Sequence, residues 1–392
     1  MPRKKRFLIL TSDSGFGHRS AANSIAMALE LRHPQEVVTS VINPIFEEPS
    51  STLLQKAELN YDKTVRDYPS WWRFAYEVSN HRSVISFIER TLTLILHKNI
   101  QQLIEKMKPD AIISTNQMFN APAGEVLSSL ETEPPFFTVI TDLADVHSMW
   151  FNANPDLFFV ASDLVKVKAV DFGINPQRII VSGIPVNPAF SSEAVNRMEI
   201  RHKLGLDPNL TTLLIVGSQR VNGVLLYLEA LERVSQPFQV VVIAGGDRTL
   251  YDDCNRYSWK IPIVVKNFVN NMPEWMQSAD ALITKAGGVV LSEGLATGLP
   301  IIMINHIPGQ EEGNIRYILE NQAGAMAENP GDFYRLMKSW LSNEQRLLRV
   351  AARNSQRLGR PDAAFLIADA LWQATEVGIS QMAAQSECIV LP

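Results

Sequence analysis

The chain has 392 residues, 46% of them apolar and 20% charged, enough to bury the cores of two ordinary domains and too apolar to stay disordered. Its net charge of −5 argues against a general nucleic-acid binder, which would present a basic surface. Two cysteines, Cys254 and Cys388, are too few and too far apart for a zinc motif or a disulfide framework, which points to a reducing compartment, and no apolar run approaches the ~18 residues of a membrane span.

The N-terminus opens on basic residues, Arg3 to Arg6, and a short apolar run, Phe7 to Leu10. That run is too short for a signal peptide and reads as a first strand, 7–11. Further short runs rich in Val, Ile, Leu and Phe lie at 37–42, 110–114, 136–141, 157–161 and 178–181, with helical segments between them. A second set follows at 212–216, 239–244, 262–266, 280–284 and 300–304. Continuous apolar runs of this kind are parallel strands covered on both faces. The expected architecture is α/β, with two doubly wound domains and a ligand in the cleft at the carboxyl ends of the strands.

Strand one hands over to helix one through "SDSGFGH", Ser12 to His18. Gly15 and Gly17 allow positive φ and close approach of a ligand, and the helix start presents amide donors. "GFGHRS" looks like a dinucleotide fingerprint, but strand two ends in Val41-Ile42-Asn43 without the acid that a nicotinamide ribose needs. That argues against a dehydrogenase. His18, with an ordinary pKa near ~6.5, is read as a general base rather than a helix-start residue with only local bonds.

Residues 43–78 show little periodicity and carry Trp71, Trp72, Phe74 and Tyr76 beside Arg66 and Arg73. A long amphipathic helix follows, with Val84, Ile85, Ile88, Leu92, Ile95, Leu96, Leu103 and Met107 on one stripe. Over 56–108, nine Lys and Arg face six Asp and Glu, a local excess of three positive charges. Amphipathic rings beside cations suit a membrane interface; packing of those rings into the first domain's core is the other reading. The cluster of prolines and polar residues at 183–201 marks a change of domain.

The second domain opens with "VGSQRVNG", Val216 to Gly223, and its second strand is followed by "AGGDR", 244–248. The latter reads as a turn with Asp247 as a helix cap, or as a wall of a nucleotide site. At 267–314 a strand ends at Thr284, "KAGG" turns, and a helix starts near Val289, a phosphate-type cradle. Glu293 lies one turn into that helix, and Gln310, Glu311 and Asn314 surround the start of the next, near Glu311. Carboxylates and amides of this kind bind hydroxyl-rich ligands. An amphipathic helix begins near Asp362, and 380–392 reads as a loose tail.

The segments "SDSGFGHRSAANSI", "ITDLADVHSMWF", "GIPVNPAF", "NMPEWMQSADALITKAGG…SEGLATGLPII" and "IPGQEEGN" resemble monogalactosyldiacylglycerol synthases and the processive diacylglycerol glucosyltransferases. The resemblance covers roughly residues 6–325, and a more distant likeness extends to the peptidoglycan N-acetylglucosaminyl transferase. It implies a GT-B fold of two facing Rossmann-like domains with an interdomain cleft and a last helix crossing back to the first domain. The implied division is an acceptor-binding domain over 1–190 with a membrane-facing insertion at 43–108, a linker at 191–200, a nucleotide-sugar domain over 201–358, and a crossover helix and tail at 359–392. The implied activity is inverting transfer of a hexose, galactose or glucose, from a UDP-sugar to diacylglycerol. The implied place is the cytoplasmic face of the membrane, as a peripheral protein, with UDP-sugar as co-substrate and no other cofactor or metal. Alternatives are a non-lipid acceptor, a nucleotide-sugar epimerase, or a weakened nucleotide-sugar-binding relative.

By the same resemblance, Glu293 takes the ribose hydroxyls, and the turn of Lys285, Gly287, Gly288 and Val289 takes the diphosphate. Gln310 and Glu311 take sugar hydroxyls, and Phe268 and Val269 lie at the uracil. The acceptor approaches Gly15, Gly17, His18, Asp142, His147, Trp71 and Trp72. His18 is the first candidate base and Asp142 the second, unless Asp142 orients a histidine. His147 either joins them or supports Asp142. Three departures from the family pattern stand out. The glycine run after the first strand of the second domain keeps Gly217 and Gly223 but admits Gln219 and Arg220, and Arg220 either pairs with phosphate or fills the site. Gly287-Gly288-Val289-Val290 stands where the family commonly has a Gly-Pro-Gly-Thr turn, keeping the amides and losing a hydroxyl worth about 1.5–3 kcal/mol of binding. Thr115-Asn116 stands where plant-type members have His-Pro.

Overall fold

The computed structural model describes residues 3–47, 51–191, 196–220 and 223–378. Cys388 and the expected tail at 380–392 lie outside the described residues, as do 192–195 of the expected linker. The chain divides into two compact units, one of 1–61, 74–188 and 362–392, the other of 62–73 and 189–361.

The first unit contains strands β1 (Lys5–Leu10), β2 (Val37–Ile42), β3 (Ala111–Ser114), β4 (Phe136–Val139), β5 (Leu157–Val160) and β6 (Ile179–Val181). Its helices are α1 (Gly17–Arg32), α2 (Thr52–Asp67), α3 (Pro69–Ser79), α4 (Arg82–Met107), α5 (Asn120–Ser128), α6 (Met149–Asn152) and α7 (Asp163–Phe172), with the end of α2 and the start of α3 counted in the second unit. The strands form one parallel sheet in the order β2-β1-β3-β4-β5-β6. Period-two alternation explains the unbroken apolar runs. Phe7 and Ile9 of β1 point into a cluster with α1, while Leu8 and Leu10 point into another with α4 and α5.

The second unit contains α8 (Arg197–Leu204), β7 (Thr211–Val216), α9 (Val224–Leu231), β8 (Phe238–Ile243), α10 (Arg248–Arg256), β9 (Ile263–Lys266), α11 (Met272–Ser278), β10 (Ala281–Lys285) and α12 (Gly288–Ala296). It continues with β11 (Ile301–Asn305), α13 (Glu312–Glu320), β12 (Gly324–Met326), α14 (Pro330–Trp340) and α15 (Arg346–Leu358). Its parallel order is β12-β11-β10-β7-β8-β9, the doubly wound Rossmann arrangement. The last helix, α16 (Ala363–Val377), returns to the first unit and packs on α1. Its buried face, Ala364, Ile367, Ala368, Leu371 and Ala374, is small enough for close approach to Ala22, Ala26 and Leu29.

Two readings of the sequence change. The segment 43–78 is largely helical, as α2 and α3. α3 buries no residue, so its pattern reflects exposure on most sides rather than the absence of a helix. Strand β12 has no counterpart among the expected strands. Its three residues, Gly-Ala-Met, form an edge paired only to β11, too short for a pattern.

Candidate functional site

In each sheet one point separates strands that wind in opposite directions. In the first unit it lies between β1 and β3, and in the second between β7 and β10. A crevice outside the carboxyl ends at such a point is where open α/β sheets bind ligands. Both glycine loops singled out in the sequence leave the strands at these points.

In the first unit, Gly15 has φ 82° but Gly17 is the first residue of α1. The second left-handed residue is Phe16, at φ 59°, an uncommon conformation for a residue with a Cβ. Its ring is 57% exposed, two residues before His18. A tight turn closes by a 2.7 Å bond from the Gly17 amide to the Gly15 carbonyl. His18 Nδ1 lies 2.8 Å from the Thr115 carbonyl and 2.9 Å from the Thr141 hydroxyl. A carbonyl only accepts, so the proton sits on Nδ1 and Nε2 carries the lone pair. The residues after β3 and β4 therefore fix the tautomer that a base needs, and the Nδ1 position of a triad carboxylate is taken by a carbonyl. Asp142 accepts from the Trp150 indole at 2.9 Å.

Glu58 of α2 holds this loop. Its Oε1 accepts from the Ser12 hydroxyl at 2.7 Å, the Asp13 amide at 2.6 Å, the Ser14 amide at 3.1 Å and the Asn43 amide group at 3.0 Å. Asn43 also donates to Asp13 at 2.8 Å, and Asp13 pairs with Arg19. The end of β2 must thus donate to two carboxylates, which an amide does and an acid could not. Glu58 gave no signal in the sequence, because its partners are 15 to 46 residues away.

His147 does not support Asp142. Its Nδ1 accepts from the Met149 amide at 3.2 Å, so Nε2 carries the proton and lies 3.1 Å from Ser79 Oγ. The ring joins the end of α3 to the loop after β4, with Tyr76 edge-on at 5.1 Å. Burial, helped by Lys168, pushes its pKa down to about 4. A free histidine protonates near ~6.5, so the unfolded chain takes up this proton first. The stabilisation is complete above ~6.5 and is lost as pH falls through about 4. We expect urea unfolding to lose up to about 3 kcal/mol across that window, with a weaker acid dependence in His147→Gln. Parallel pH profiles for the two chains would overturn this assignment.

Trp71 and Phe74 of α3 are 58% and 64% exposed. Packing of these two rings into the core is thereby excluded; Trp72 and Tyr76 are half-buried. Among the described residues no helix is long and apolar enough to cross a membrane.

In the second unit the Gly287 amide bonds the Lys285 carbonyl at 2.8 Å, a three-residue hydrogen bond like that of Gly15–Gly17. Gly287 caps α12 without a side chain, leaving the first-turn amides of Gly288 and Val289 as donors for an anion. A Cβ on Gly287 would lie 2.6 Å from Lys285 Nζ, so a side chain there would have to displace the ammonium. Lys285 pairs with Glu311, whose other oxygen accepts the Ile307 amide at 2.8 Å. Burial lowers the Lys285 pKa, against the pull of Glu311. Glu311 therefore ties the "IPGQEEGN" loop to the cradle with both oxygens. Asn314 does the same, donating to the Ala286 carbonyl at 2.9 Å, while Gln310 is half-buried in that loop. Half-buried Glu293 on α12 is pushed up to about 7 by burial.

Gly217 bonds the Ile243 carbonyl at 2.8 Å and meets Gly245, where a Cβ would come within 2.3 Å of the Gly217 carbonyl oxygen. Asp247 caps α10 by accepting the Leu250 amide at 3.1 Å. Arg220 pairs with Asp62 at 2.8 Å. Phe268, after β9, is 61% exposed, and Val269 is half-buried.

Comparison with known proteins covers both units. Residues 18–186 match the family described as monogalactosyldiacylglycerol (MGDG) synthase, and residues 196–357 match glycosyl transferases group 1. Monogalactosyldiacylglycerol synthase 3 of Arabidopsis thaliana is 31% identical over 373 residues, 93% of this chain and 80% of the relative. Monogalactosyldiacylglycerol synthase 1 of the same plant is 31% identical over 378 residues, 93% of this chain and 70% of the relative. Among solved structures, Acinetobacter baumannii MurG superposes with a TM-score of 0.60 at 14% identity, covering 94% of this chain and 99% of that one. Anabaena HepE in complex with UDP and glucose gives 0.53 at 11%, covering 94% and 100%. The UDP-GlcNAc 2-epimerase of Neisseria meningitidis bound to UDP-GlcNAc gives 0.58 at 12%, covering 94% and 100%. These likenesses establish the GT-B fold class.

Proposed function

Because the chain belongs to the monogalactosyldiacylglycerol synthase family and is thereby a glycosyltransferase of glycolipid synthesis, we propose that it moves a hexose from a UDP-sugar to diacylglycerol with inversion at the anomeric carbon. The observation that carries this reading is the His18 tautomer. An Nε2 lone pair, fixed by the Thr115 carbonyl, suits removal of one proton from an acceptor hydroxyl.

The second unit supplies the donor side. Lys285 and the α12 amides receive the diphosphate and stabilise the charge that grows on it as the sugar leaves. Glu293 accepts the ribose hydroxyls. Exposed Phe268 after β9 offers a ring for the uracil; β9 stands three strand spacings from β10, roughly 14 Å at ~4.8 Å each. Proteins of this fold hold UDP or a UDP-sugar, which supports the same donor class. The oxygen freed by His18 attacks the anomeric carbon, the bond to the diphosphate breaks, and UDP departs with the pair of electrons.

On the acceptor side, Trp71, Phe74 and Tyr68 are exposed apolar rings beside Arg66 and Arg73. Such rings lodge at a lipid–water interface and their cations at anionic head groups, so the protein works as a peripheral membrane enzyme. The test is incubation with diacylglycerol vesicles and each UDP-hexose in turn, followed by product separation. Hexosyl-diacylglycerol and UDP are expected in equal amounts from one of the donors. Release of UDP without any glycolipid from every donor would sink the proposal.

A further inference from the structure

Arg220 lies in the loop after β7, and the topology gives it a specific address. Its loop leaves β7 at the winding reversal, and β7 is hydrogen-bonded to β10 with Val216 opposite Thr284. Lys285 follows Thr284 directly. Arg220 and Lys285 thus stand on the two loops that flank the point where an open α/β sheet takes its ligand.

Each cation has a resident carboxylate, and the two pairs are built differently. The Lys285 partner, Glu311, has a side chain only 6% exposed and a second oxygen fixed by the Ile307 amide. The Arg220 partner, Asp62, lies in the last turns of α2 and is 25% exposed. The Arg220 side chain itself is 8% exposed. A buried guanidinium stripped of its counterion is strongly unfavourable, but exchange of one anion for another keeps it satisfied. Asp62, on leaving, returns to water close by. The charges also sense one another: Arg220 pushes the Lys285 pKa down and Asp62 pulls it up.

We propose that Arg220 is a second cation of the diphosphate subsite and that Asp62 is the anion which occupies it until a nucleoside diphosphate binds. The inference rests on the nucleotide-sugar reading above. It makes donor binding compete with the Asp62–Arg220 pair.

Calorimetric titration with UDP, on the full chain, tests this. Asp62→Asn removes the competitor and is expected to tighten UDP binding roughly tenfold, while Arg220→Gln weakens it roughly tenfold. In the Arg220→Gln background Asp62→Asn is expected to change nothing, since the two act on one interaction. Thermal melts accompany every variant, and Asp62→Ala, measured beside Asp62→Asn, must give the same sign. If Asp62 serves only to anchor α2, its loss leaves UDP affinity unchanged or lower, and the inference fails. If wild type binds UDP and Glu293→Gln weakens it while the Asp62 and Arg220 variants do not move, the inference fails and the donor reading stands. If wild type binds no UDP at all, both fall together.

Discussion

Replacing His18 with alanine is expected to lower turnover by roughly 10²–10⁴-fold and to leave UDP affinity unchanged. On the proposed reading His18 acts on the acceptor hydroxyl, so its loss falls on the chemical step rather than on donor binding. The carbonyl of Thr115 at 2.8 Å and the hydroxyl of Thr141 at 2.9 Å hold Nδ1, so the ring is oriented before any substrate arrives, and little of the effect can come from reorganisation. Single-turnover sugar transfer with a UDP titration separates the two quantities. Turnover within tenfold of wild type, or a matching loss of UDP affinity, would remove His18 from the role of base.

Glu293→Gln is expected to act in opposite directions on binding and on stability. Burial raises the Glu293 pKa to about 7, above the ~4.3 of a free glutamate. The folded chain therefore holds a proton that the unfolded chain gives up, and stability is greatest below ~4 and declines as pH rises through about 7. Glutamine removes that decline. The variant should be more stable than wild type at pH 8, by up to about 3 kcal/mol, and equal to it at pH 4. Donor binding should go the other way. Ionised Glu293 is the stronger acceptor for ribose hydroxyls, so wild-type UDP affinity rises as pH climbs through about 7. In Glu293→Gln it is weaker and loses that rise. Melting curves and UDP titrations at three pH values check both arms. A variant less stable than wild type at pH 8, with an unaltered pH profile for UDP, would show that Glu293 is an ordinary structural carboxylate. A buried charge retained against stability is what a binding site is expected to carry.

Much of the site was legible because its signals are local. "GFGH" and "KAGG" each sit between an apolar run and an amphipathic one, and only a strand-to-helix turn fits that order. The partners of these loops were not legible. Thr115 and Thr141 reach His18 from 97 and 123 residues away, and a threonine or a backbone carbonyl carries no mark in a sequence. Glu58 and Asp62 lay in a stretch read as unpatterned, because α2 and α3 are exposed along most of their length. His147 resembled a site residue by its place beside Asp142. Its role was decided by Ser79 and the Met149 amide, which turn it into a neutral, buried strut.

Read alone, the chain determined the class of fold, the existence of two strand-helix series and the location of both glycine loops, since hydrophobic period and glycine conformation act over a few residues. Tertiary structure alone decided that each loop lies at a winding reversal, because strand order in a sheet is settled by which non-local edges bury the most apolar surface. It also decided which nitrogen of His18 bears the proton and which carboxylate neutralises Arg220. Those outcomes depend on contacts between residues far apart in the chain, where charge and hydrogen-bond geometry, rather than any local pattern, select the partner.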